Sequence, residues 1–168
     1  ASSRVAGDEW LRGVGIPEGA SMPSSDAFTL VEEQVAYWVA GDRTAASLEV
    51  AGWTTFEWVH FLAQLPQSLS TSQLAELDQA FELTSSGNAE IVHQWLLITI
   101  RNAYLPTRGR LERYLLDIGR RKLVLPLYQA MAETADGRSL AMNIYRQARP
   151  GYHPITANSV DAVLGWSE

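Results

Sequence analysis

From residue 25 to the end, apolar side chains return with a period near 3.6 residues, and no useful stretch alternates with a period of two. A half-buried strand needs that two-residue alternation, so the chain is confined to an all-α fold. Caps and breakers then divide it into about eight short helices. Ser25 or Asp26 opens the first, striped by Phe28, Val31, Val35 and Trp38 and ended by Gly41. Thr54 or Thr55 opens the second, with Phe56, Val59, Leu62 and Ala63 inward and Pro66 as its stop. The third starts at Ser70 or Thr71 and carries Leu74, Leu77 and Phe81. Asn88 caps a fourth, with Ile91, Trp95, Ile98 and Thr99, running to about Arg101.

Pro106 suits the opening of a fifth helix, with Leu111, Tyr114, Leu115 and Ile118, ended by Gly119. A sixth spans Leu123 to Glu133, which places Pro126 in its first turn, where a missing N–H costs little. Asp136 caps a seventh through Leu140, Ile144 and Tyr145, and the last follows His153-Pro154 to about Leu164. Short helices with short loops pack as antiparallel neighbours. The expected architecture is a two-layer right-handed superhelix, HEAT- or armadillo-like. No internal repeat of about 33–47 residues is visible, so the layers should be irregular.

At 168 residues the chain suits a single domain. Residues 25–168 form it. Residues 1–24 read as an irregular arm, punctuated by Gly13, Gly15, Pro17, Gly19 and Pro23 yet apolar at Trp10, Leu11, Val14 and Ile16. A net charge of -6 argues against a nucleic-acid partner, because phosphate binding needs a cationic face. No apolar run is long enough for a membrane span. The first residues, Ala1 to Gly7, lack the basic start and apolar stretch of a signal peptide. A cytoplasmic parent is the expectation, with an exported one as the alternative. Without cysteine there is no disulfide and no thiolate metal site.

Two Glu-x-x-His pairs, Glu57 with His60 and Glu90 with His93, could each offer two ligands to one ion. Di-iron bundles use two such pairs, with Glu32 or Glu33 and Glu76 or Glu82 as further candidates here. That architecture needs one long four-helix bundle, whereas these helices are short and more numerous. Glu90, beside the Asn88 cap, is also where a carboxylate simply faces a helix N-terminus. Trp38 and Trp95 sit at core spacing, while Trp58, beside Val59, is left open between the core and an outward interface. HExxH, G-x-S-x-G, a Walker loop and GxGxxG are all missing, so the chain contains no self-contained active site.

The segment Gly119-Arg120-Arg121-Lys122 admits two readings. Gly119 could stop the fifth helix with the cations complementing its dipole. Alternatively, Arg120 and Lys122, two apart in a non-helical junction, form an anion clamp. Arg supplies a two-toothed fork for a carboxylate, and Lys a point charge.

Taken in order, several segments resemble the C-terminal domain of leukotriene-A hydrolase and its aminopeptidase relatives. They are Glu9-Trp10-Leu11 with Gly15-Ile16-Pro17, Phe61-Leu62-Ala63-Gln64, and Asn88-Ala89-Glu90-Ile91 with Trp95-Leu96. Next come Gly119-Arg120-x-Lys122 with Pro126-Leu127-Tyr128, and Tyr145 followed by His153-Pro154-Ile155-Thr156. The resemblance implies a helical domain that walls the cleft of a thermolysin-like catalytic domain lying upstream in the same protein. That upstream domain holds the zinc through HExxH and a further Glu, and receives the peptide's amino end. Arg120 and Lys122 match the family residues that hold the substrate's carboxylate, whereas Arg121 occupies a variable position. Leu125 stands before Pro126 where one relative carries Arg, which lowers the local positive charge.

The resulting expectation is a peptide-binding part of a zinc aminopeptidase, inactive alone, with no cofactor of its own. A free-standing helical scaffold for peptides or proteins is the alternative, and the di-iron bundle a third.

Overall fold

A computed structural model of the chain describes residues 25–168, and the arm read at 1–24 lies outside them. The described residues form eight α-helices and no strand. They are α1 (Ser25–Val39), α2 (Thr55–Gln64), α3 (Thr71–Phe81) and α4 (Ala89–Arg101), followed by α5 (Arg108–Asp117), α6 (Arg121–Met131), α7 (Ala135–Ala148) and α8 (Pro154–Leu164). Short 3₁₀ turns intervene at Ala45–Ser47, Leu105–Thr107 and Arg149–Gly151.

The helix starts follow capping chemistry. Ser70 and Gln73 form a reciprocal capping box at α3, as do Thr54 and Glu57 at α2. Asn88 Oδ1 accepts from the amides of Glu90 and Ile91 at α4. His153 caps α8, its Nδ1 accepting from Ile155. Gly41, with φ of +80°, takes the left-handed position just past α1 that suits a residue without Cβ.

The even-numbered helices make one layer, each packed on the next: α2 on α4, α4 on α6, and α6 on α8. In the other layer α5 packs on α7, and α7 also packs on α6. α1 lies against α2. Two buried clusters result. The first joins Val31, Trp38, Phe61, Leu62, Leu74, Leu77 and Trp95; the second joins Leu96, Tyr114, Leu115, Leu127, Tyr128 and Tyr145. Helix α4 belongs to both, with Trp95 and Ile98 facing one cluster and Val92 and Leu96 the other. It is the structural spine.

Several expectations need correction. The inward stripe of α2 is Phe61 and Leu62, continued by Leu65 just past its end; Phe56 is exposed, and Val59 and Ala63 are not buried. Trp53 explains the shift, because from a loop it packs edge-on against Trp58 and at a tilt against Phe61, drawing that face of the helix inward. Trp58 is therefore part of an aromatic cluster with Trp53, Phe61 and Phe81, not an outward residue. Thr134, not Asp136, caps α7, because its Oγ1 reaches the Gly137 amide at 3.0 Å. Helix α6 starts two residues earlier than its apolar stripe, so Pro126 lies inside it, beyond the first turn. The carbonyl of Lys122 consequently loses its intrahelical donor.

Candidate functional site

The basic segment sits where α5 ends and α6 begins. Helix α5 stops at Asp117, two residues before Gly119, so the cations do not complete its last turn. Arg120 is the N-cap of α6 with extended backbone, and Arg121 and Lys122 are already helical. The expected non-helical junction thus holds for Arg120 alone. Both terms of the dipole argument reverse: three cations lie at the positive end of a helix that has no side-chain cap. Such an end offers free amides and positive charge together, an arrangement that favours an anion.

Each cation has a distinct surrounding. Arg121 donates from Nε to Ser159 Oγ at 2.8 Å, which ties the turn to α8. Lys122 Nζ lies 3.2 Å from Glu90 Oε1 on α4, both side chains being well exposed. Arg120 is exposed, and its guanidinium has no hydrogen bond or ion pair among the described residues. The site therefore presents one free fork beside one partnered ammonium.

A rigid support lies behind it. Tyr152 donates to the Leu115 carbonyl at 2.6 Å, and Thr156 donates to the Gly119 carbonyl at 3.3 Å. Tyr128 completes this layer through its hydroxyl contact with Tyr152 at 3.0 Å. The Tyr145 hydroxyl lies within hydrogen-bond distance of both Asp161 and the Ala157 carbonyl, fixing α8 against α7. The segments around Tyr145 and His153-Pro154-Ile155-Thr156 thus form the back of the Gly119-Arg120-x-Lys122 turn. Burial pushes the Tyr152 hydroxyl up to about 12, so it stays a donor at any ordinary pH.

On the other side, Tyr114 donates to the Ala89 carbonyl at 2.9 Å. Burial raises its hydroxyl to about 12, helped by the Glu90 charge and opposed by Arg110 and Arg120. Tyr114, Glu90 and Arg120 therefore share one neighbourhood. His93 Nδ1 lies 2.8 Å from the Leu123 carbonyl, which fixes the proton on that nitrogen. Burial lowers the His93 pKa, so the ring is neutral near pH 7.

The two Glu-x-x-His pairs are used separately. Glu57 serves its own helix cap, whereas His60 pairs with Glu32 at 3.0 Å and stacks on Phe28. Glu90 and His93 both reach the start of α6. Among the described residues no three His, Asp or Glu side chains are placed to hold one metal ion.

Sequence reasoning missed Tyr152 and Ser159, and named Tyr114 only as a core residue and Thr156 only within a family segment, because their partners lie on distant elements and are mostly backbone carbonyls. Glu90 was visible, but as a metal ligand or a helix-start carboxylate. Its contact with Lys122 depends on α4 packing against α6, which spacing does not encode.

Arg149 grips Asp161 through two hydrogen bonds of 3.0 Å. That fork, with help from the Tyr145 hydroxyl, holds the Asp161 carboxyl below its usual range. A carboxylate with a folded value below its unfolded value of about 4 contributes stability above that pH. The contribution is lost as pH falls through the folded value. Asp161→Asn should therefore be less stable than the parent at pH 7, with the gap closing below about pH 4. Thermal unfolding of both proteins across pH checks this, and a gap that does not change with pH would take that role from Asp161.

Comparison with known proteins gives this geometry a family. Residues 53–164, well over half of the chain, match the family described as leukotriene A4 hydrolase, C-terminal. Leucine aminopeptidase 2 of Pyricularia oryzae is 29% identical over 98% of this chain and 27% of its own length. Human aminopeptidase RNPEPL1 is 29% identical over 94% of the chain and 23% of its own length. Human aminopeptidase B is 24% identical over 94% of the chain. The fold matches the solved structure of yeast LTA4 hydrolase in complex with bestatin, with a TM-score of 0.67, 20% identity, and coverage of 90% of this chain and 28% of that one. The chain thus spans about a quarter of the length of these relatives. Matched over most of its described helices, this chain belongs to the leukotriene A4 hydrolase C-terminal domain family.

Proposed function

We propose that the chain walls the active-site cleft of a zinc aminopeptidase and holds the C-terminal carboxylate of a short peptide with Arg120 and Lys122. The catalytic domain, with its zinc, would lie upstream in the same protein. Relatives named as aminopeptidases, each about four times as long as their match to this chain, support a larger enzyme of which this is one part. The observation that carries the clamp is the start of α6, an uncapped helix end bearing Arg120 with no side-chain partner and Lys122 beside it.

Arg120 can meet a carboxylate with two parallel N–H bonds, and Lys122 adds a second positive charge. Fixing the far end of a short peptide limits where its amino end and first peptide bond can lie, which converts binding into alignment. The sequence relatives are named aminopeptidases and the matched solved structure LTA4 hydrolase; peptide trimming is the activity proposed.

The test compares a tripeptide with its C-terminal amide in the full-length enzyme. Arg120→Ala should lower the acid-to-amide ratio of kcat/KM about tenfold, the range of a charge-assisted hydrogen bond at an exposed site. A ratio that stays put while both rates fall would assign Arg120 to folding and end the clamp reading.

A further inference from the structure

Glu90 has no capping task to perform. The amides at the start of α4 are already taken by Asn88 Oδ1, at 3.0 Å to Glu90 and 3.3 Å to Ile91. Its carboxylate instead lies 3.2 Å from Lys122 Nζ, and Lys122 has no other ion-pair or hydrogen-bond partner through its side chain among the described residues. Lys122 is 62% exposed and Glu90 40%, so water reaches both and the pair contributes little to stability. Such a pair exchanges partners easily.

Its position is nevertheless fixed. Tyr114 holds the Ala89 carbonyl on one side of Glu90, and His93 holds the Leu123 carbonyl one residue after Lys122. Both contacts are partly buried: the first ties the start of α4 to α5, and the second pins α4 to the start of α6. Glu90 therefore stays beside Lys122 whether or not another anion arrives.

We infer that Glu90 is a resident counter-ion that competes with the substrate carboxylate for Lys122 and so sets how tightly the clamp holds. The inference rests on the clamp reading above. A carboxylate bound across Arg120 and Lys122 lies within a few ångströms of Glu90, and the two negative charges repel. In wet surroundings that repulsion weakens binding about three- to tenfold. The chemistry gives the weakening a use. Removing an N-terminal residue leaves a product that still carries the C-terminal carboxylate, and a clamp without a competitor would retain it. Glu90 is thus a specificity and release residue that acts through Lys122, and the Glu90-x-x-His93 pair is the device that places it.

The experiment is Glu90→Gln in the full-length enzyme, with the same tripeptide and its amide. Glutamine keeps the side-chain length and an oxygen for Lys122 but removes the charge. The acid-to-amide ratio of KM should fall about three- to tenfold, and the change should shrink at high salt as the charges are screened. An unchanged or increased ratio would overturn the inference, an increase meaning that Glu90 orients Lys122 productively. Arg120→Ala, run alongside, separates the two levels. If it lowers the acid-to-amide ratio of kcat/KM while Glu90→Gln leaves the KM ratio alone, only the counter-ion role fails. If neither substitution distinguishes acid from amide, the clamp itself is absent.

Discussion

Trp95→Ala is expected to lower the unfolding free energy by about 3–5 kcal/mol, the largest effect of any single substitution considered for this chain. Trp95 is fully buried on α4, the helix shared by both core clusters. Truncation removes one of the two buried tryptophans of the N-terminal cluster and leaves a cavity beside Thr84 and Tyr104 that packed neighbours refill only in part. It also deletes the indole N–H that donates to Thr84 Oγ1 at 3.0 Å, part of a chain in which Thr84 donates on to Asp78 at 2.7 Å. Trp95→Phe separates these contributions, keeping most of the volume and losing the hydrogen bond for about 1–2 kcal/mol. Urea unfolding measures both. A loss below about 1 kcal/mol for Trp95→Ala would mean that α4 is not the spine of the fold.

Gly137→Ala should destabilise by about 2–3 kcal/mol, although glycine to alanine inside a helix ordinarily stabilises by about 1 kcal/mol. Gly137 is the third residue of α7, which turns back from the end of α6 after only three residues. A Cβ there would lie 2.2 Å from the backbone oxygen of Met131 and 2.7 Å from Thr134 Oγ1. Neither atom can yield without displacing the α6 end or the α7 cap. Gly109, also helical, has nothing within 4 Å of its Cβ position. Gly109→Ala should accordingly stabilise by about 0.5 kcal/mol. Thermal melts of the two variants should move in opposite directions, and a shared direction would refute the close approach at Gly137.

The contrast between these glycines shows where the sequence is legible. Helix number and several helix starts were readable because the signals are local: Thr54 with Glu57, Ser70, Asn88, His153-Pro154 and the apolar stripes each act within one turn. The double layer followed from short helices and short loops. The failures came where a distant residue decides. Trp53 reached from a loop and changed which face of α2 is buried. Arg121 and Lys122 were helical before the apolar stripe began, because polar residues can fill a first turn without altering the period.

The candidate site was legible in part. Arg120 and Lys122 stood out by charge in an acidic chain, and their place at an uncapped helix start is more favourable to an anion than the junction anticipated for them. The supporting hydroxyls of Tyr152, Thr156 and Ser159 and the opposing carboxylate of Glu90 come from α8, its preceding turn and α4. Only the packing of α4 and α8 on α6 brings them to one place. The same packing turned a pair with metal-ligand spacing into two contacts with the start of α6.

The central claim is that this domain receives the carboxylate end of a peptide at the start of α6. A structure of the full-length enzyme with a bound short peptide bearing a free carboxylate tests it most directly. The expected result is a carboxylate in a two-bond contact with Arg120 and within hydrogen-bond distance of Lys122, with Glu90 beside it. A peptide whose carboxylate rests elsewhere, leaving Arg120 in solvent and Lys122 on Glu90, would contradict it.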